Sequence, residues 1–118
     1  MIKTKSVYSP KAKEDGLRVL VTRYWPRGVR KDAQDVWLRG LSPEAGLIKL
    51  WKAGKITWNK FEKGYLEEYK SVEKTRLLSG LKETVKGQRG SAVTLLCACR
   101  DDEPCHRQIL EKILEGKH

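Results

Sequence analysis

Two stretches of the chain concentrate β-branched and large apolar residues and predict buried β-strands. Leu17–Tyr24 has apolar side chains on both of its faces, and so does Ala92–Cys99. A strand with two apolar faces is typical of a parallel sheet that is covered on both sides. We therefore expect both strands in a sheet, with Ala92–Cys99 at its centre. Met1–Tyr8 alternates more loosely and predicts an edge strand.

The middle of the chain has apolar positions at helical spacing. Ser42–Glu44 predicts a helix start, with the serine as cap and a proline at the first helical position, and Gly54 ends that helix. Thr57 predicts the cap of a second helix, and Ser71–Lys86 is also helical in pattern. Lys31–Leu41 is compatible with a short helix or a short strand, and its pattern does not decide between them.

Four aromatic residues fall on one face of the second predicted helix, interleaved with lysines: Trp58, Phe61, Tyr65 and Tyr69. Such a stripe can stack nucleobases. It is more often the packed side of an amphipathic helix, and we expect packing here.

The order of these elements predicts the fold class. Strands at the start, helices in the middle, and a strand and helix at the end require long crossovers between parallel strands. We expect an α/β fold: a small, mostly parallel sheet covered by helices on both faces, in a three-layer, Rossmann-like arrangement. A length of 118 residues suits one compact core, so a single domain over residues 1–118 is expected.

Composition restricts the class of protein. An apolar fraction of 39% and a charged fraction of 34% suit a folded, soluble protein. The chain has no apolar run long enough to span a membrane, and its first residues lack the apolar centre of a signal peptide. We therefore expect a cytoplasmic protein without a membrane partner. Three cysteines in such a chain are expected to be thiols rather than a disulfide framework.

The net charge of +10 is unevenly distributed along the chain. Residues 1–41 hold ten Lys and Arg against four Asp and Glu, residues 42–91 hold eleven against six, and residues 92–118 hold four against five. A positive surface favours polyanions, so a nucleic acid is one alternative partner. Solvated helix faces give the same total without any partner. The pattern does not indicate an oligomeric state.

The densest group of reactive side chains follows the strand Ala92–Cys99. An acidic loop, Asp101–Glu103, leads into a helix whose first turn carries Cys105, His106 and Arg107. A thiol near the positive end of a helix is stabilised as thiolate, the form that a cysteine nucleophile needs. We therefore predict Cys105 and His106 as the candidate catalytic pair. The loop acids oppose this effect, and the alternative is that Cys105 is simply the first residue of the packed helix face.

The spacing of the cysteines and histidines argues against a zinc site, a redox pair and a phosphatase-type loop. The donors available to zinc are Cys97, Cys99, Cys105 and His106. Adjacent Cys and His ligands on one helical turn are awkward, and the chain has no Cys-x-x-Cys pair for zinc or for redox chemistry. A phosphatase-type loop would need an arginine six residues after a cysteine, and that arginine is absent. We predict no metal and no cofactor, and we interpret Cys97 as a small buried hydrophobe.

Ligands of open parallel sheets bind beyond the carboxyl ends of the strands. The binding residues predicted there are Arg23, Trp25, Arg27, Arg100 and Arg107. Guanidinium groups beside a helix N-terminus suit an anion, and an indole offers a stacking face. We expect a crevice for a small anionic or phosphorylated, nucleotide-like ligand, in an enzyme or in a binding domain derived from one. The alternatives are a non-catalytic nucleic-acid-binding protein and a domain that uses its tryptophans as an interface.

Several of these segments resemble a known family. GLRVLVTRYWPRGV, DVWLRGLSP and VTLLCACRDDEPCHR are similar to the YeaO-like proteins, domain-of-unknown-function family 488. The resemblance runs from about Ile2 to the final helix and implies a small cytosolic α/β domain, without a particular reaction. It places the family's motifs on Arg23, Trp25, Pro26, Arg27 and Gly28, and on Cys105, His106 and Arg107.

Overall fold

The computed structural model describes residues 1–116 and shows a four-stranded sheet in the order β1-β4-β2-β3 with every pair parallel. The strands are β1 (Ile2–Ser6), β2 (Leu17–Leu20), β3 (Val36–Trp37) and β4 (Val93–Cys97). The helices are α1 (Ala45–Lys52), α2 (Trp58–Glu68), α3 (Val72–Gly87) and α4 (His106–Glu115), with 3₁₀ turns at Lys13–Asp15, Lys31–Ala33 and Arg39–Leu41. The predicted α/β class with a parallel sheet is confirmed.

The sheet has β4 at its centre and β1 at one edge, as the apolar pattern predicts. All five residues of β4 are buried, and the strand pairs with β1 and β2 on its two sides. The two predicted buried strands, Leu17–Tyr24 and Ala92–Cys99, are longer than the observed β2 and β4. After Leu20, only the Val21 N–H still bonds to β4, at the Leu96 carbonyl oxygen (2.9 Å), before the chain turns away. Cys99 lies beyond the end of β4.

One face of the sheet packs against α-helices. Val19, Val93 and Leu95 point to this face, where Leu81 of α3 and Leu110 of α4 join them in one buried cluster. Burying these side chains removes most of their apolar surface from water, the main favourable contribution to folding.

The opposite face of the sheet packs against the loops that contain the first two 3₁₀ turns. Arg18 is fully buried there, pairs with Asp15 and donates from Nε to the Ala33 carbonyl oxygen. The Thr94 hydroxyl donates to the Asp15 carbonyl oxygen at 2.7 Å. The sheet therefore lies between two covering layers, as predicted, although 3₁₀ turns form the second layer.

Helix capping follows the local sequence at α2 and α3, but not at the starts of α1 and α4. Cys105 is not in the first turn of α4 as predicted, because it precedes the helix as its N-cap and α4 begins at His106. The hydroxyls of Thr57 and Ser71 accept from the third backbone N–H of α2 and α3, and Gly54 follows α1 with a φ of 71°. The predicted cap at Ser42 is wrong, because its hydroxyl donates to the Arg39 carbonyl oxygen and α1 begins only after Glu44.

The remaining elements settle two open points. Lys31–Leu41, where the pattern left helix and strand open, contains both: two 3₁₀ turns and the short β3. The aromatic side of α2 is a packed face, because Phe61 and Tyr65 are buried against Ile109 and Ile113 of α4. Within residues 1–116, no helix combines the length and the hydropathy that a membrane span needs.

Candidate functional site

A cavity of about 360 Å³ lies at the carboxyl ends of β2 and β4. The chain leaves β2 through residues 22–27 and β4 through residues 98–99, and both segments line the cavity. Helices α1 and α2 supply much of the opposite lining, and the start of α4 completes the floor. This is the place where the parallel-sheet argument predicts a ligand site.

Aromatic rings form much of the cavity wall. Trp51 of α1 contacts Trp58 of α2 edge to face with 5.2 Å between ring centroids, and the Trp58 ring stacks on Phe61. Trp25 lies on the segment after β2, with its ring edge to face against Trp37 and its indole N–H donating to the Val29 carbonyl oxygen (2.9 Å). These contacts hold the rings in place before any ligand binds.

Two of the predicted arginines line the cavity. Arg23 pairs with Glu44 at 2.7 Å, and this hydrogen bond raises the pKa of Arg23 and lowers the pKa of Glu44. Its Nε is buried without a hydrogen-bond partner among residues 1–116. Arg27 is exposed, and the Tyr8 hydroxyl donates to its carbonyl oxygen at 2.9 Å. Arg27 is therefore positioned by its backbone, with its side chain left in solvent.

The other two predicted arginines lie outside the cavity lining. Arg107 is only 1% exposed, and its guanidinium donates to the carbonyl oxygens of Cys99 (3.2 Å) and Arg100 (2.7 Å). The Arg100 side chain is exposed and lies 3.4 Å from the Glu103 carboxylate. Arg107 thus holds the loop between β4 and α4, which the sequence pattern alone did not indicate.

The floor of the cavity contains three free thiols, which we call the thiol cluster: Cys97, Cys99 and Cys105. Their sulfur atoms all lie within 4.8 Å of one another. The Cys105 and Cys97 sulfurs are 3.0 Å apart, and those of Cys97 and Cys99 are 4.0 Å apart. Cys97 and Cys105 are buried, whereas Cys99 is half-buried.

His106 lies beside the thiol cluster and is also buried. Its Nδ1 is 3.6 Å from the Cys105 sulfur and 3.9 Å from the Cys97 sulfur, while its Nε2 is 2.6 Å from the Val21 carbonyl oxygen. A carbonyl oxygen only accepts, so Nε2 carries the proton and the Nδ1 lone pair faces the sulfurs. Burial lowers the pKa of His106 to about 4, so the imidazole is neutral at pH 7.

The three thiols differ in pKa. The pKa of Cys97 lies well below its ordinary value, because the Cys105 thiol donates to its sulfur, the Cys99 thiol is within hydrogen-bond distance and the Arg107 charge is near. The pKa of Cys105 is raised, because Cys105 donates to Cys97 and Cys99 and is buried. Cys97 is therefore the first of the cluster to ionise. The catalytic role of Cys105 with His106 stays a prediction.

Some residues of the site were missed from the sequence. Cys97 is buried as predicted, but its place at the cavity beside two other thiols was not predicted, and Trp51 and Trp58 were not assigned to a ligand site. The i, i+2 spacing of Cys97 and Cys99 was an available signal, because it puts both side chains on one side of an extended chain. No local sequence pattern indicates that the tryptophans of α1 and α2 line the same cavity.

Comparisons with known proteins find a family model and relatives that this chain is similar to. The family model described as "Active DUF488-N3 subclade" matches residues 2–118. "Uncharacterized protein YeaO" of Escherichia coli (strain K12) is 38% identical over 69 residues, which cover 57% of this chain and 60% of that protein. "Uncharacterized protein Rv3073c" of Mycobacterium tuberculosis (strain ATCC 25618 / H37Rv) is 30% identical over 118 residues, which cover 98% of this chain and 95% of the relative. No solved structure matches the chain.

Proposed function

We propose that this chain, which belongs to the DUF488 family, binds a small anionic molecule with a flat ring, such as a nucleotide, in the cavity beyond β2 and β4. The observation that carries this proposal is the convergence of tryptophan rings and arginines on one cavity of about 360 Å³. That volume is within the usual range of small-molecule sites, which are mostly apolar with a few placed polar groups.

The aromatic wall supports the flat part of the ligand. Trp25, Trp51 and Trp58 all line the cavity. The contact between Trp51 and Trp58 and the contact of Trp25 with Trp37 keep the indole rings ordered. A planar base or ring that stacks on an ordered indole contributes about 1–3 kcal/mol to binding. A phosphate ion without a ring would make no stacking contact with these tryptophans.

The arginines support the anionic part of the ligand. Arg27 is an exposed residue of the cavity lining, and Arg23 has a buried Nε without a partner among residues 1–116. Guanidinium groups bind carboxylate and phosphate through paired, charge-assisted hydrogen bonds. We assign Arg27 as the main anion contact, since Arg23 already pairs with Glu44.

The thiol cluster lies on the floor of the same cavity, so a bound ligand contacts it. This is the observation that favours a cysteine-dependent enzyme as the second candidate function. Cys99 is the half-buried member of the cluster. A saturating ligand should therefore slow the alkylation of Cys99. An unchanged alkylation rate would show that the ligand does not bind next to the thiols.

Tryptophan fluorescence tests the binding proposal. Nucleoside monophosphates should quench or shift the emission to saturation, whereas inorganic phosphate and uncharged nucleosides should bind at least about tenfold more weakly, because each makes only part of the contacts. Arg27→Ala should weaken nucleotide binding by about tenfold or more. Arg76→Ala removes the same charge from an exposed position on α3 and should leave affinity unchanged. Equal losses in both variants would contradict the proposal.

Salt dependence separates this proposal from nucleic-acid binding on the basic surface. Contacts to several phosphates lose orders of magnitude in affinity between about 50 and 200 mM salt, whereas one bound anion loses far less. The buried rings of Phe61 and Tyr65 are unavailable for stacking on bases. An oligonucleotide that binds more tightly than every nucleotide, with a steep salt dependence, would overturn the cavity proposal.

A further inference from the structure

Four potential metal ligands meet at the floor of the cavity. In a tetrahedral site with zinc–sulfur bonds of about 2.3 Å and a zinc–nitrogen bond of about 2.0 Å, neighbouring sulfurs are about 3.8 Å apart and sulfur and nitrogen about 3.5 Å. The thiol cluster has sulfur pairs at 3.0 and 4.0 Å and none beyond 4.8 Å. His106 Nδ1 lies 3.6 and 3.9 Å from two of these sulfurs. These five of the six edges lie within about 1 Å of the zinc values, and both sulfur–nitrogen edges are longer than the ideal one.

From this geometry we propose that Cys97, Cys99, Cys105 and His106 bind one zinc ion through three sulfurs and Nδ1. The site does not depend on the anionic ligand proposed above. Each thiol releases its proton to solvent when its sulfur binds, and the ion keeps its oxidation state. Thiolate and imidazole donors together select zinc over the hard cations magnesium and calcium.

The backbone at Cys105 removes the objection that spacing raises against adjacent ligands. Cys105 precedes α4 with extended angles, φ −152° and ψ 156°, and His106 is the first helical residue. Two neighbours on one helical turn would point about 100° apart. The extended conformation of Cys105 instead turns its sulfur to within 3.6 Å of His106 Nδ1.

Hydrogen bonds around three of the four ligands hold them in place. The Val21 carbonyl oxygen accepts from His106 Nε2 at 2.6 Å, which leaves Nδ1 free to donate its lone pair. Gln108 Oε1 accepts from the Cys105 N–H at 2.6 Å, and Arg107 donates to the Cys99 carbonyl oxygen. A carbonyl behind a histidine ligand and anchored neighbours are typical of protein metal sites.

Charge also favours a cation at this place. Three thiolates with sulfurs 3.0 to 4.8 Å apart repel one another strongly unless a cation lies between them. The nearby Arg107 provides one positive charge from outside the cluster. With four protein ligands the zinc site would be closed, so its role would be to stabilise the cavity floor.

The test uses the full chain, reduced and freed of metal with a chelator. Addition of zinc against a chromophoric chelator should show one equivalent bound, and cobalt(II) should give the visible absorption bands of a tetrahedral thiolate site. Cys99→Ser replaces the half-buried ligand and should weaken zinc binding by more than about tenfold. Glu103→Gln changes a neighbouring oxygen donor at the cavity and should bind zinc like the unaltered protein.

Three results would overturn the proposal. The first is that the protein binds no zinc although its thiols titrate as reduced. The second is that Cys99→Ser binds zinc as tightly as the unaltered protein. The third is that mild oxidation joins Cys97 to Cys105 by a disulfide in a protein that binds no metal. Unfolding curves in metal-free buffer check that Cys99→Ser is folded. Nucleotide binding is measured separately by fluorescence, so failure of one proposal does not conceal the other.

Discussion

His106 donates from Nε2 to the Val21 carbonyl oxygen at 2.6 Å, and this bond joins the first residue of α4 to the end of β2. The two residues are 85 positions apart in the chain. The bond determines which imidazole nitrogen carries the proton, and it therefore sets the direction of the lone pair that faces the thiol cluster.

Removal of this donor should destabilise the protein. His106→Leu leaves the buried Val21 carbonyl oxygen without its partner, which costs about 1–3 kcal/mol of unfolding free energy. Urea unfolding in the presence of a chelator measures the loss without a contribution from metal. His106→Gln keeps an N–H donor and should lose less. Unchanged stability in His106→Leu would contradict the role of this bond.

The buried pair of Asp15 and Arg18 should be sensitive to the loss of one partner. Asp15→Asn leaves the Arg18 guanidinium buried without its carboxylate, and we expect a loss of about 3–5 kcal/mol. Combining it with Arg18→Met removes the uncompensated charge and should recover part of that loss. Denaturant unfolding of both variants measures the difference. A double variant less stable than Asp15→Asn would contradict this account.

The same carboxylate should make stability depend on pH. Burial alone would raise the pKa of Asp15, but hydrogen bonds from the Ala12 N–H and Lys5, with the Arg18 charge, lower it below its ordinary 3.8. The folded state therefore binds the proton less tightly than the unfolded state. The resulting stability is present above pH 3.8 and is lost as the pH falls below that value. Between about pH 5 and 2.5, the unfolding free energy should depend less on pH in Asp15→Asn than in the unaltered protein.

Two glycines should respond in opposite ways to alanine. A Cβ on Gly16 would lie 2.0 Å from the Ala92 carbonyl oxygen, and its φ is 62°, so Gly16→Ala must displace the start of β2. Gly80 in α3 has open space around its Cβ position, and Gly80→Ala should stabilise the helix by about 0.5–1 kcal/mol. Thermal unfolding of both variants is the measurement. A Gly16→Ala protein as stable as the unaltered one would refute the close contact.

The three thiols should alkylate in an order set by exposure. Cys99 is half-buried at the cavity, whereas Cys97 and Cys105 are 4% and 3% exposed. We expect Cys99 to react first and the other two at least about tenfold more slowly, because they require a local opening of the fold. Peptide mass spectrometry of the reduced, metal-free protein assigns each rate. Rapid reaction of Cys105 alone below about pH 8, where an ordinary thiol is mostly protonated, would instead support its predicted role as an activated nucleophile.

Much of the fold could be predicted because it depends on local patterns. The apolar residues on both faces of β4 predicted its place at the centre of the sheet, and Thr57 marked a helix start that the structure confirms. Ser42 failed as a cap because the preceding 3₁₀ turn takes its hydroxyl. A competing local hydrogen bond of that kind cannot be recognised from residue type alone.

The site was only partly predictable, because its members come from segments far apart in the chain. Arg23, Trp25 and Arg27 come at the end of a predicted apolar strand, and the carboxyl ends of parallel strands share one edge of the sheet. Their place at the cavity could therefore be predicted. Arg107 was expected at the crevice, yet it is buried where it can donate to the carbonyl oxygens of the preceding loop.

By itself, the sequence determined the α/β class, the central strand and the edge where a ligand site would form, because each depends on periodicity and chain order. Only the tertiary structure decided that the three thiols and His106 meet. Their meeting depends on the extended backbone at Cys105, on the bond from His106 to Val21 and on the path of the loop held by Arg107. Such contacts are set by packing and hydrogen bonding between distant residues, which the spacing of residues along the chain does not record.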